Sequence, residues 1–505
     1  MSRQRLARNA GFSVIQVIVS ALALLIMYRL LMQTLSIAEI GLWSLVVGST
    51  AIARLSEMGL GAGVMRFVAA DLGAGAPERA ARTIGAAAAV VALLVGLIAL
   101  LSQPFLLTYL LKLTPLSLHQ AVGVLLPAAL LGVVLAAVGN VFSVSIDGAQ
   151  RMDIRAVLQM FGSLVQLGAT WFVLPRWGLL GLGWVQIAQA VFLLVASAIT
   201  VLVLLRRPLR DYLGFEAPRL KELFRYGGGM QISAIAQLLS EPLLKVLLTS
   251  FSGLSLVGYF DIANRIILQF RSVIIAAYNA LVPHVAAVSG KEVIDLQRLR
   301  LIYFEAVSML LFFVLPYFAC IAASLPLALT LWKGKFDQRL LAVALIQLGA
   351  WLFNLLTPPS YTLYLGIGRL RWTMLSHALI AALTLILGVL FGWLWGGTGA
   401  LVGGAIALAA GSLAVPMAFH HEYGVAWRDL VRLRSGPGLL LVAAAIAASS
   451  LIARSQNWPG WNLAVGLPVV TGIAAIAVMF SDPNLAKLLA KLKLPRNVGR
   501  DREVS

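Results

Sequence analysis

The chain has 505 residues, of which 60% are apolar and 12% charged; 39 Lys+Arg stand against 20 Asp+Glu, a formal net charge of +19. A soluble domain carries about twice that charged fraction. A helix needs about 20 apolar residues to cross a bilayer, so this composition allows roughly fourteen crossings and excludes a soluble enzyme, a disordered chain and a secreted disulfide scaffold.

In chain order, Arg3, Arg5 and Arg8 precede an apolar stretch over 11–32. That stretch is too long for the core of a signal peptide and lacks a convincing cleavage site, so it is expected to stay as the first span. Further apolar stretches predict helices over 40–55, 83–103, 120–146, 156–174, 179–205, 228–251, 258–285, 302–323, 339–365, 373–394, 398–419, 437–453 and 463–481. The fold class expected is therefore an all-α polytopic membrane protein of about 14 transmembrane helices. The single cysteine, Cys320, lies in an apolar run and leaves no intrachain disulfide or cysteine metal site.

If the N-terminus is cytoplasmic, alternate loops carry 29 of the 39 basic residues and the opposite loops carry 6. The positive-inside rule then puts both termini in the cytoplasm. The basic excess thus orients a membrane protein and gives no reason to invoke nucleic acid. Two cytoplasmic segments, 217–226 (APRLKELFRY) and 483–494 (PNLAKLLAKLKL), read as helices lying on an anionic leaflet, the first equally as a solvated linker.

The two halves share landmarks at a nearly constant offset. Ile40-Gly41-Leu42-Trp43 matches Val257-Gly258-Tyr259-Phe260 at 217 residues. Gly148-x-x-Arg151 matches Gly366-x-x-Arg369, and Trp177-Gly178-x-x-Gly181 matches Trp395-Gly396-x-x-Gly399, both at 218. Six spans per copy is an even number, so the copies share an orientation. They form a six-helix lobe over 1–205 and another over 228–420, joined by a cytoplasmic linker at 206–227. Two extra helices over 437–481 and an amphipathic tail over 482–505 follow. Two like-oriented lobes are a transporter architecture, because rocking one against the other alternates access to a site between them.

Four basic residues remain at membrane depth: Arg29, Lys245, Arg265 and Arg271. The acids there are Glu241, Asp261 and Glu305, while Arg54 and Glu57 close the second span. A charge at the bilayer centre costs about 2.5–3.5 kcal/mol on insertion scales, so such groups face a cavity or a partner. Glu241–Lys245 and Asp261–Arg265 have i, i+4 spacing and either neutralise themselves within a helix or serve coupling. Pro242 frees a backbone carbonyl in the seventh span and is expected to kink it.

Arg29 and Arg271 have no local acid and suit an anion, although Arg29 is near enough to a helix end to snorkel. At the offset of 217, Arg29 corresponds to residue 246, next to Lys245, so the first and seventh spans each bring a cation to a similar depth. Arginine suits phosphate because its planar fork donates two parallel hydrogen bonds. The five histidines have no metal-ligand setting. There is no Gly-rich phosphate loop, no Ser/His/Asp set and no acidic glycosyltransferase-type cluster, so neither an enzyme nor a cofactor is expected; Gly227-Gly228-Gly229 reads as a hinge.

The runs SIAEIGLWSLV (36–46), SEMGLGAGVMRFVA (56–69), VGYFDIANRI (257–266) and LGIGRLRW (365–372) resemble bacterial polysaccharide repeat-unit flippases. These belong to the MOP exporter superfamily, with the MATE drug exporters and the lipid II flippases. The resemblance spans about residues 5–420. It implies a V-shaped pair of lobes in the bacterial cytoplasmic (inner) membrane. The cargo implied is an undecaprenyl-diphosphate-linked glycan, taken from the inner to the outer leaflet for exopolysaccharide, capsule or O-antigen assembly. A polysaccharide polymerase and a chain-length regulator are the partners implied beside membrane lipids.

A diphosphate is matched by Arg29, Lys245 and Arg271. Outward movement of each negative charge is favoured by about 2.3 kcal/mol per 100 mV. Export uses that potential alone or couples to H+ or Na+ through Glu241, Asp261 or Glu305. Fourteen spans also occur in the lipid II branch, so a lipid II flippase or a MATE-like small-molecule exporter is the alternative, and a membrane polysaccharide polymerase a more distant one.

Overall fold

The computed structural model describes residues 3–51, 60–214, 222, 239–279, 296–367, 369, 371–426, 436–455 and 460–480. Arg54, Glu57, nearly all of 217–226, the start of the seventh span with Gly227-Gly228-Gly229, and the 482–505 tail lie outside the described residues. Every regular element among the described residues is helical.

The helices run α1 Arg3–Thr34, α2 Ile37–Ser49, α3 Leu60–Gly73, α4 Pro77–Leu113, α5 His119–Gly148, α6 Met152–Trp177 and α7 Gly181–Leu205. They continue as α8 over 239–252, α9 Leu254–Asn279, α10 Leu296–Lys333, α11 Gln338–Asn354 and α12 Pro358–Ile367, followed by α13 Arg371–Tyr423, α14 Gly436–Arg454 and α15 Trp461–Phe480. Their chemistry is that of spans: apolar on most faces, with large side chains such as Trp171, Phe172, Trp393 and Leu394 more than half exposed on the exterior. The start of α2 is fixed by a capping box, in which Glu39 N–H donates to Ser36 Oγ (3.2 Å) and Ser36 N–H donates to Glu39 Oε2 (2.8 Å).

Eight stretches among the described residues are long and apolar enough to cross a bilayer. They are nine if Gln338–Asn354 and Pro358–Leu365, bent by 45°, count as one. Two of the eight are hairpins. A straight helix over Arg371–Tyr423 would be about 80 Å long at 1.5 Å per residue, far beyond the roughly 30 Å of a hydrocarbon core. It breaks at Trp395 and Gly396 and folds back: Gly399 approaches Phe391, Gly403 approaches Leu387, and Gly411 approaches Ile380. The α6–α7 pair does the same about Gly178. The remaining expected spans, 40–55, 228–251 and 258–285, are helical over their described parts as α2, α8 and α9. Counting hairpin arms, the bent pair and these three gives the fourteen expected.

Internal contacts group the chain into two compact units, one of Met1–Ser272, Gly349–Asn354 and Leu370–Ala414, the other of Val273–Leu348, Leu355–Arg369 and Val415–Ser505. In the first, α5 packs against α7, α4 and α3, and α1 lies along α6. The 3₁₀ turn Leu209–Leu213 after α7 is pinned to α4, where Gly85 makes room for the Tyr212 carbonyl and Arg207 pairs with Glu78 (3.2 Å) and Asp211 (2.7 Å). In the second, α10 is the central post, packed by α12, α14 and α15, with Ser449 Oγ donating to the Ala322 carbonyl (2.7 Å).

The repeat is visible in the backbone. Trp177 and Gly178 have φ/ψ of −119/3° and 50/−135°; Trp395 and Gly396 have −130/18° and 65/−154°. At those positive φ values a side chain is strained, which is why both hairpin tips need glycine. Arg151 N–H donates to the Ile146 carbonyl (3.1 Å), and 218 residues on Arg369 N–H donates to the Tyr364 carbonyl (2.9 Å). Gly162 against Leu193 becomes Ile380 against Gly411, with the glycine on the other arm.

The copies also meet each other inside the first unit. Gly41 of α2 abuts the Leu254 carbonyl of α9, and Gly258 of α9 abuts the Ile37 carbonyl of α2. Adding 217 to 37 and 41 gives 254 and 258, so the two contacts are mates about a local two-fold relation, as in an isologous interface.

Candidate functional site

The seventh and eighth spans carry the buried charges, and the structure ties them, with Tyr28 of the first span, into one node. Lys245, on α8, is 2% exposed and has Nζ 3.0 Å from Asp261 Oδ1 of α9 and 2.6 Å from Glu241 Oε1. Asp261 is also 2% exposed; its Oδ2 accepts from Tyr28 Oη of α1 at 2.5 Å and lies 3.7 Å from Arg265 Nε. Ser44 of α2, 2% exposed, lies beside the same carboxylate. Gly48, one turn further along α2, has no side chain to obstruct Lys245, whose Cδ is 3.3 Å from where a Cβ would be. The two i, i+4 pairs expected from the sequence are therefore halves of a single network, joined by Lys245–Asp261.

The network balances: two carboxylates face two cations. Its centre is dry, whereas the Glu241 and Arg265 side chains at its margin are 43% and 39% exposed. Unpaired, either buried charge would cost several kcal/mol to keep from water; paired this way, each is offset by an opposite charge and a hydrogen bond.

Arg271 occupies a second cluster two turns along α9. Its Nε donates to Asn354 Oδ1 (3.1 Å) and its guanidinium lies 4.7 Å from the centre of the Trp351 ring. Trp351 Nε1 donates to Asn264 Oδ1 (3.0 Å), and Asn354 Nδ2 donates to Ser412 Oγ (2.7 Å) on the second arm of α13. A guanidinium clamped by an aromatic face and an amide keeps its planar fork in one orientation. It lies where α11 ends at the helix break before Pro358, and interrupted helices at membrane depth mark binding regions in transporters.

Arg29, on α1, joins neither cluster. Arg29 is exposed, one residue round the helix from buried Tyr28, so on α1 the side chain that reaches the Lys245–Asp261 pair is Tyr28. Glu305 is exposed on α10, in the second unit. Arg54 and Glu57 lie outside the described residues. Among the described residues, no group of three or more His, Cys, Asp or Glu side chains could hold a metal.

Sequence reasoning missed Tyr28, Ser44, Trp351, Asn354 and Ser412. For the first two a signal existed. The offset of 217 places Tyr28 on Lys245, Ser44 on Asp261 and Gly48 on Arg265, so the node sits where equivalent positions of the two copies converge.

The fold has solved relatives. An inward-facing multidrug resistance MATE family transporter of the MOP superfamily matches with a TM-score of 0.70 at 16% identity, covering 84% of this chain and 99% of that one. The lipid II flippase MurJ in an inward closed conformation matches with a TM-score of 0.67 at 12% identity, covering 95% and 98%. An outward-facing MATE structure matches with a TM-score of 0.58 at 15% identity, covering 85% and 96%. No curated protein matches the sequence. The profile of the family described as "Polysaccharide biosynthesis protein" matches residues 6–289, more than half of the chain. The chain is thus a multi-pass membrane protein whose fold matches the MATE and MurJ structures, and it belongs to the polysaccharide biosynthesis protein family.

Proposed function

We propose that this protein is a flippase that moves undecaprenyl-diphosphate-linked oligosaccharide repeat units from the inner to the outer leaflet of the bacterial cytoplasmic membrane. The observation that carries this reading is the combination of a polysaccharide biosynthesis family match over 6–289 with a transporter fold. A polysaccharide pathway needs a membrane transporter when its intermediate is built on one face and used on the other. The two six-helix lobes, 1–205 and 228–420, would rock about a shared site, both termini being cytoplasmic in accordance with the positive-inside count.

Arg271 is assigned to the diphosphate. Trp351 and Asn354 set its fork for two parallel hydrogen bonds to a phosphate oxygen pair, and its charge offsets part of the headgroup's. Lys245 and Arg265 are matched by carboxylates within the node and contribute less to anion binding. Arg29 is exposed and remains a second contact for the headgroup. An interior-negative potential favours outward movement of the anionic cargo by about 2.3 kcal/mol per charge per 100 mV.

Depletion tests the function: lipid-linked repeat units should accumulate on the inner leaflet and surface polymer should fall. Normal surface polymer without that build-up refutes it. The MurJ-like fold, covering 95% of this chain, favours a second reading as a lipid II flippase. Support of lipid II translocation in cells deprived of their own flippase would establish that reading instead.

A further inference from the structure

We propose that Asp261 is the pin of a latch between the two repeats, closed in this structure, and that the α2–α9 contact opens when the pin lets go. The partners of Asp261 come from both copies: Tyr28 at 2.5 Å from the first, Lys245 at 3.0 Å and Arg265 at 3.7 Å from the second. One carboxylate therefore bridges α1 to α8 and α9.

The contact beside the pin is built to part cleanly. Gly41 meets the Leu254 carbonyl and Gly258 meets the Ile37 carbonyl, so the closest approach is largely backbone on backbone, with Ile37 Cγ2 the one side-chain atom beside Gly258. The pin suits a two-state element for a further reason. A buried ion pair gains little over its hydrated form, because each charge regains water when the pair is exposed. Half-open arrangements, with a charge stripped of both water and partner, are the costly ones. Glu241 and Arg265, at the margin of the node, are 43% and 39% exposed, so the pair's neighbours are the first groups that parting helices would uncover.

The test uses the full-length chain in nanodiscs, with Cys320→Ser as background. Ile40 and Val257 are equivalent positions, 1% and 0% exposed, beside the two glycines. Each is replaced singly by cysteine, and maleimide labelling rates are compared with and without Asp261→Asn. Val133→Cys on α5, 1% exposed and away from the contact, reports general loosening.

Asp261→Asn should raise labelling at both reporters by about a hundredfold or more, the scale expected when a buried pair loses one charge, with Val133→Cys unchanged. Tyr28→Phe removes one hydroxyl and leaves every charge in place. It should raise labelling by about tenfold, as one hydrogen bond to a charged group is worth, and it carries the test if Asp261→Asn does not insert. Unchanged labelling at Ile40→Cys and Val257→Cys overturns the latch, as does an equal rise at Val133→Cys. The readout needs no cargo, so it stands or falls separately from the flippase reading.

Discussion

Substituting alanine for Gly41 or Gly258 probes the joint between the repeats directly. A Cβ on Gly41 would overlap the Leu254 carbonyl and come within 2.9 Å of Gly258 N; one on Gly258 would overlap the Ile37 carbonyl and come within 2.9 Å of Ile37 Cγ2. Ordinary Cβ contacts begin near 3.4 Å, and the carbonyl oxygens are the nearest atoms, so the helices must retreat by more than an ångström. What stands in the way is largely backbone, which cannot rotate aside as a side chain would. Overpacking of this kind costs about 1–3 kcal/mol, partly offset by the better helix propensity of alanine, about 1 kcal/mol. A net loss of up to about 2 kcal/mol is expected for each variant, or about 1–3 kcal/mol relative to an unhindered Gly→Ala change in a helix. Because the two contacts are mates in one joint, the first substitution already separates the helices that the second would push apart. The double variant should therefore lose clearly less than the sum of the singles. The assay is a double-mutant cycle on denaturant unfolding of the purified protein, with Gly96→Ala and Gly123→Ala as references, since a Cβ there meets nothing within 4 Å. Full additivity, or a Gly41→Ala variant as stable as the references, would refute the two-fold joint.

Lys245→Met leaves Asp261 at the dry centre with Arg265 at 3.7 Å as its remaining cation; a loss of about 3–5 kcal/mol is expected, and pairing it with Asp261→Asn should recover part of it in the same unfolding assay. Arg271→Lys keeps the charge but gives up the Trp351 stack and the planar fork, so export of lipid-linked glycan should fall by about tenfold with normal membrane insertion, and wild-type export would remove Arg271 from the headgroup site. Gly178→Ala and Gly396→Ala force side chains into φ values of 50° and 65°; each should cost about 1–3 kcal/mol, similar in the two variants, and thermal unfolding that separates them widely would argue against equivalent hairpin tips.

Much of the architecture was legible because bilayer physics writes it into composition. Spans follow from apolar length, and the offsets of 217 and 218 found landmarks whose backbone angles and hydrogen bonds coincide. The i, i+4 spacing identified Glu241–Lys245 and Asp261–Arg265 as neighbours. It could not show that they are one network, because Lys245 and Asp261 meet across two helices separated by the turn at Gly253. Tyr28 went unseen because it is uncharged, and attention fell on Arg29, which is exposed. Trp351 and Asn354 went unseen because they are uncharged residues in the middle of the span expected over 339–365; only the approach of α11 to α9 puts them on Arg271.

The repeat also bears on what the charged node is for. The two copies agree in backbone at their hairpin tips, at the Arg151 and Arg369 turns and at the Gly41 and Gly258 contact. They differ in ionisation. The first copy has Tyr28, Ser44 and Gly48 where the second has Lys245, Asp261 and Arg265. A neutral set thus supports one copy of the same fold, so folding the repeat does not itself require the charges. Placing them there is costly unless they cancel, and they do, with Glu241 completing the balance. A hydrophobic filling of similar volume would hold the helices together at least as well, but it would resist the entry of water. Ions that cancel when closed and hydrate when open lower the cost of separation. That is the property needed at a joint that opens and closes, and it is why the proposed latch is drawn at the Tyr28–Asp261–Lys245 contact.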